Sequence, residues 1–171
     1  HAGDATRGYL GTVLEEIHRL ERLVQDLLLY GRPLEPRVEL VQWNELARGL
    51  EAFARDAIGA KPVRFRAEAR ELELTTDPNL LKQVLLNLIR NAIEAMDEQG
   101  VVRLDAQAID GQVRITVEDE GPGLTEDVRK RVFEPFFTTK AFGTGLGLSI
   151  CRKVAQTLGG AFEIHNRKPR G

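Results

Sequence analysis

Cysteine is nearly missing from this chain: Cys151 stands alone among 171 residues, which excludes an internal disulfide framework. The three histidines, His1, His18 and His165, are scattered, and with one thiol they leave no spacing that resembles a zinc site. Aromatic residues make up only 6%, and no run of about 18 apolar residues occurs, so the stretch holds no membrane span. A basic-then-apolar N-terminal segment is also lacking, so any signal peptide or anchor of the parent protein lies outside it. Charge of one sign is not in excess either. Lys and Arg number 24 against 26 Asp and Glu, a net charge of -2, so no global field draws in nucleic acid or an anionic membrane. A partner has to be found at a site. What is present, 42% hydrophobic and 29% charged residues, is the profile of one compact domain with an appended element, expected in a reducing, cytoplasmic setting.

Periodicity gives the organisation. Leu10, Val13, Ile17, Leu20, Val24 and Leu27 repeat at alternating intervals of three and four, a heptad seam over residues 4–30 that wants a partner helix. Leu14, Leu23 and Leu28 widen the stripe towards a four-helix bundle, and Gly31-Arg32-Pro33 ends it. After a linker and a short extended piece over 34–42, a second helix is expected over 44–58, with Leu46, Leu50, Phe53, Ala54 and Ala57 on one side and Gly59 at its end. Alternation at Val63, Phe65 and Ala67, then at Leu72 and Leu74, predicts strands with one wet face. Asp77 followed by Pro78 opens a largely apolar central helix reaching Met96. A hairpin over 101–109 and 112–119 turns at Asp110-Gly111, a pair suited to positive φ. A glycine-rich stretch leads to a helix over 148–158, and 161–165 is expected as a last strand. One-faced strands with three helices beyond the first make an α+β protein, a two-layer α/β sandwich preceded by a long helix.

Three constellations carry chemistry. Asn87 and Asn91, four apart, lie one above the other on the central helix among apolar neighbours. Buried amides need partners, which another side chain or the backbone supplies, but an amide oxygen is also a hard neutral ligand for magnesium. Val113, Ile115 and Val117 share one strand face, and Asp119 is next in that series, so a carboxylate points inward and needs a donor such as an exocyclic amine. Gly121-Pro122-Gly123 beside it either leaves room for a flat ligand or simply makes a turn that Asp119 caps. Gly143-Thr144-Gly145-Leu146-Gly147 opens directly into a helix and forms an anion site suited to phosphate, without the P-loop or dinucleotide spacing. Phe133 to Lys140, with three aromatics and a cation, reads as a lid or as a loop pinned by its Phe side chains.

In order, Asn87 to Ala95, Asp119 to Gly123, Phe133 to Lys140 and Gly143 to Gly147 resemble the N box, first glycine box, F box and second glycine box of sensor histidine kinases. The resemblance implies that residues 34–171 are an ATP-binding catalytic domain of the Bergerat (GHKL) type, with its final strand missing. It implies that residues 1–33 are the second helix of the dimerisation and phosphotransfer hairpin, joining a homodimer. Phe-Phe-Thr-Thr-Lys and Asn-Ala-Ile-Glu-Ala are most similar to the nitrogen-regulation sensors. On this likeness Asn91 holds magnesium on the ATP phosphates and Asn87 supports the same face, while Asp119 accepts from the adenine amino group. Gly121 and Gly123 shape the base pocket. Gly143, Thr144, Gly145, Leu146 and Gly147 admit the phosphates, with Thr139 and Lys140 approaching from the lid and Arg90 a further phosphate contact. Glu94 stands where many relatives have a basic residue. The implied activity is transfer of the γ-phosphoryl to a histidine outside this stretch and onward to a response-regulator receiver domain. Neither nucleic acid nor direct membrane contact is implied. The other readings are a GHKL-type ATPase, which would want a general-base Glu where Asn87 stands, and a nucleotide-binding dimerisation module without kinase activity.

Overall fold

The computed structural model describes residues 2–140 and 143–167. His1, Arg170 and Gly171 lie outside the described residues, as do the side chains of Leu10 and His18.

The heptad segment forms one helix, α1 (Ala2–Gly31), with Val13, Leu14, Ile17, Leu20, Leu23, Val24, Leu27 and Leu28 all exposed along it. Strand β1 (Glu39–Gln42) follows and pairs antiparallel with β3 (Glu73–Thr76) in a separate two-stranded sheet. Between them run α2 (Trp43–Ile58) and β2 (Val63–Ala67). Helix α2 ends at Gly59, where φ is 54°, but its buried face is set by Trp43, Ala47, Leu50 and Ala54, while Ala57 faces solvent instead of the core. Trp43 is fully buried because its polar handle is satisfied: the indole Nε1–H donates to the Glu68 carbonyl at 2.8 Å.

Asp77 caps α3 (Pro78–Glu94) by accepting from the backbone N–H groups of Asn79 and Leu80, and Arg37 N–H donates to its other oxygen at 2.7 Å. These donors, Leu80 first, hold its carboxyl below the usual carboxylate range. At the far end of α3 Lys61 Nζ donates to the carbonyls of Ile93 and Met96, satisfying groups that a helix end leaves open. Strands β4 (Gly100–Ile109) and β5 (Gln112–Glu118) form the expected hairpin, with φ 50° at Asp110 and 76° at Gly111. Strand β2 joins β4 in parallel through the α3 crossover, giving the order β2-β4-β5.

Helix α3 lies on this sheet between α2 and α5 (Gly147–Thr157). Leu50, Leu85, Ile89, Ile93, Val102 and Leu104 are sealed between the layers, each contributing about 1.5–3 kcal/mol. A second cluster, Leu146, Ile150, Cys151 and Val154 with Val84, joins α5 to α3, and Leu29 of α1 and Leu34 beyond its end pack on it. Residues 161–165 differ from expectation: Phe162 and Ile164 are half-buried in alternation with exposed neighbours, yet the segment forms no strand. Alternation selects a face, whereas a strand also requires a paired ladder. A short helix, α4 (Glu126–Arg131), was also not anticipated.

Candidate functional site

One face of α3 touches each of three glycine-bearing or lid segments in turn. Residues 87, 91 and 95 are four apart, so they stack along a line of about 12 Å at 1.5 Å per residue. At the first of these levels the Asn87 amide faces Gly147, where an added Cβ would lie 2.7 Å from both Nδ2 and Oδ1. Asn87 Nδ2 also donates to Cys151 Sγ at 3.1 Å. One turn on, Asn91 Oδ1 accepts from Lys140 Nζ at 2.8 Å, and the same ammonium reaches Glu94 Oε2 at 2.6 Å. At the third level Gly121 abuts Ala95, where a Cβ on the glycine would sit 3.4 Å from both the Ala95 Cβ and its carbonyl.

Asp119 stands beside that last contact. The inward series Val113, Ile115, Val117 continues to it, and it is half-buried. Its Oδ1 accepts from Gly121 N–H at 2.9 Å and would lie 2.7 Å from a Gly121 Cβ, so a side chain at 121 would push the carboxylate aside. Gly123, at φ 73°, faces Asn166, which accepts from Leu124 N–H and donates to Leu124 C=O. That clasp ties the segment after α5 to the glycine corner.

The glycine loop and the lid are built against each other. Phe136 N–H donates to the Gly145 carbonyl at 2.9 Å, and a Cβ on Gly145, whose φ is 68°, would strike the Phe136 backbone. Gly143 N–H donates to the Lys140 carbonyl, and a Cβ there would strike the Thr138 hydroxyl. Leu146 is buried and anchors the start of α5, which carries no side-chain cap, so its first-turn backbone N–H groups take no bond from a capping side chain. Of the three lid aromatics, Phe133 is fixed edge-on to Phe162 and Phe137 lies under the Arg131 guanidinium. Phe136 is 62% exposed at φ 66°. Thr139 is exposed on the same lid, and Arg90 Cζ sits 5.4 Å over the Phe53 ring of α2.

Sequence reasoning did not find the hold that α1 has on this region. Thr144 Oγ1 donates to Asp26 Oδ2 at 3.0 Å, and Lys153 Nζ donates to the carbonyls of Leu29, Tyr30 and Arg32. Burial pushes the Cys151 thiol up to about 11, with Asp26 adding in the same direction and the Asn87 amide opposing.

A family model described as histidine kinase-, DNA gyrase B-, and HSP90-like ATPase matches residues 76–171. The chain belongs to this ATPase family. Among curated relatives it is 34% identical to the sensor histidine kinase ZraS of Escherichia coli (strain K12), over 99% of this chain and 37% of ZraS. The chain thus spans little more than a third of that relative's length. Among solved structures it resembles histidine kinase ThkA in complex with response regulator protein TrrA, at 32% identity and a TM-score of 0.71, over 89% of this chain and 44% of that one. Full-length ShkA in complex with AMPPNP gives 32% identity and a TM-score of 0.71, over 91% of this chain and 34% of that one. The α+β architecture of this ATPase family is the one that places the Asn87, Asn91 and Ala95 face of α3 opposite the two glycine segments.

Proposed function

We propose that this chain is the ATP-binding catalytic region of a sensor histidine kinase, residues 34–171 forming that domain and residues 1–33 a helix of the dimerisation hairpin. One observation carries the reading: a single face of α3 meets the glycine loop, the lid cation and the glycine corner beside Asp119 at successive turns. In this reading Asp119 Oδ2 accepts from the adenine amino group while Oδ1 stays on Gly121 N–H. The start of α5 and Gly143, Thr144, Gly145, Leu146 and Gly147 receive the phosphates on backbone N–H groups and the helix dipole. Lys140 and Thr139 approach from the lid, and Arg90 lies further off on Phe53.

The donor set fits magnesium. Asn91 Oδ1 and Glu94 Oε2 already share one cation, the Lys140 ammonium, and both are hard oxygens. Asn91 would hold the metal, which when bound neutralises charge building on the transferred phosphoryl. The chain's own residues bind, orient and exclude water; the γ-phosphoryl goes to a histidine elsewhere in the parent dimer and then to a response-regulator aspartate. The named ThkA complex with TrrA supports a receiver domain as partner. The seam on α1 supports a homodimer. The free, buried Cys151 suits a cytoplasmic location. The Phe-Phe-Thr-Thr-Lys and Asn-Ala-Ile-Glu-Ala runs support a place near the nitrogen-regulation sensors.

A hydrolase of the same family is the second reading, and Asn87 speaks against it. A general base is wanted there, whereas an amide bonded to Cys151 takes no proton from water. Calorimetric titration with ATP, with GTP and without magnesium tests the proposal. Adenine-selective binding strengthened by magnesium, and weakened at least about ten-fold by Asp119→Asn through loss of one charge-assisted hydrogen bond, is expected. Equal affinity of Asp119→Asn and wild type would reject the assignment of the base pocket.

A further inference from the structure

The Lys140 ammonium is held from two sides of one helical turn, by Asn91 Oδ1 at 2.8 Å and by Glu94 Oε2 at 2.6 Å. The three-residue spacing puts both oxygens on neighbouring positions of the α3 surface, so they close on one point in space. That point is occupied by the last residue of the lid, whose N–H is bound to Thr138 Oγ1 and whose carbonyl takes Gly143 N–H. The lid therefore touches α3 through a cation, and the cation sits on the oxygen that the nucleotide reading gives to a metal.

We propose that Glu94 and Asn91 together form a seat for one cation at a time: Lys140 fills it in the free protein and latches the lid, and a divalent cation arriving with polyphosphate displaces Lys140 towards the phosphates. The arithmetic of charge favours this exchange. One carboxylate is matched by one ammonium when nucleotide is absent. A divalent cation brings two positive charges together with several negative ones, and the displaced ammonium moves to where the negative charge then lies. Lysine suits this task, since its ammonium is a compact point charge on a flexible stem and needs no fixed fork geometry. Glu94 and Lys140 are about half exposed, so their pairing is weak enough to be exchanged. The proposal rests on the nucleotide reading only for the identity of the incoming cation; the latch itself is a property of the free chain.

Hydrogen exchange on the 171-residue chain without nucleotide tests the latch. Glu94→Gln keeps size and helix propensity at the end of α3, so the helix is retained. It should speed exchange of the Thr138, Thr139 and Lys140 amides up to about five-fold, the limit for an exposed ion pair, with Ile89 and Ile93 unchanged and Glu94→Asp restoring part of the protection. Unchanged lid exchange in Glu94→Gln overturns the latch. The one-cation seat is tested with Mn2+ alone, read by paramagnetic broadening of the Asn91 side-chain amide. Lys140→Ala should broaden at several-fold lower Mn2+ than wild type, and adding Glu94→Gln should remove that gain. Equal broadening in wild type and Lys140→Ala overturns the seat. A wild-type chain that binds no ATP would sink the nucleotide reading while leaving both of these results standing.

Discussion

Gly147→Ala separates the site from the fold. The glycine is the first residue of α5, at an ordinary φ, so alanine there meets no backbone strain and gains helix propensity of up to about 1 kcal/mol. What the new methyl meets is the Asn87 amide, 2.7 Å away, and an amide at the end of a rotatable side chain yields where a backbone would not. Asn87 must swing off, breaking its 3.1 Å bond to Cys151 at a cost of about 0.5–1.5 kcal/mol. The two effects nearly cancel. Stability should stay within about 1 kcal/mol of wild type, a Tm change of about 2–4 °C for a domain of this size. ATP affinity should nonetheless fall about ten-fold, since the displaced amide leaves the phosphate-facing side of α3 and the methyl enters it. Calorimetry for ATP and thermal unfolding on the same samples give both numbers. Adding Asn87→Ala to Gly147→Ala should weaken binding no further, because the first substitution has already removed that amide. An unchanged Kd, or a Tm loss above about 10 °C, would refute the reasoning: the first makes Asn87 irrelevant to the ligand, the second makes it a structural pin.

Cys151, with its thiol pushed up to about 11, should react with a disulfide reagent near pH 8 about a hundred-fold more slowly than a free thiol; a normal rate would mean that α1 and α5 part readily. Asp77→Ala should cost about 1–2 kcal/mol as a lost helix cap in urea unfolding at neutral pH. Because the folded carboxyl sits below its unfolded value, that contribution is complete above the ordinary Asp range and fades as pH drops through the folded value, so the gap to wild type should narrow as the pH is taken below the ordinary Asp range; a widening gap would contradict the cap. Sedimentation should show self-association of the chain that Leu20→Glu with Leu27→Glu abolishes, both positions being exposed on the α1 seam; identical behaviour of the two proteins would remove the seam as the contact.

Local rules made much of this architecture legible. Asp77-Pro78 and Asp110-Gly111 act within a few residues of themselves, so the cap and the hairpin turn could be read from adjacent positions. The common face of Asn87 and Asn91 followed from helical spacing alone. What stands against that face did not, because Gly147 and Lys140 are about 50 to 60 residues away and no period links them. Helix α4 does carry a local signal, Thr125 at its start with acids in the first turn and three bases in the last, and Thr125 accepts from Val128 N–H as such a cap would. Ala57 falls off the buried stripe of α2 because Trp43 and Ala47, at the helix start where a face is hardest to phase, set that stripe. In segment 161–165 the alternation of burial is present but the strand pairing it would serve is not.

The end of α1 is capped from outside itself. Its last carbonyls are satisfied by Lys153 of α5, while Asp26, one turn earlier, is bonded to Thr144 in the glycine loop. The helix is therefore geared to the loop in the manner of a crank. With side chains reaching about 5–6 Å from its axis, a turn of about 30° sweeps the Asp26 carboxylate through about 3 Å, a full hydrogen-bond length. Under such a twist Thr144 either follows, dragging the loop and the first turn of α5 with it, or lets go. The Asp26–Thr144 bond is thus the point at which the orientation of α1 bears on the glycine loop.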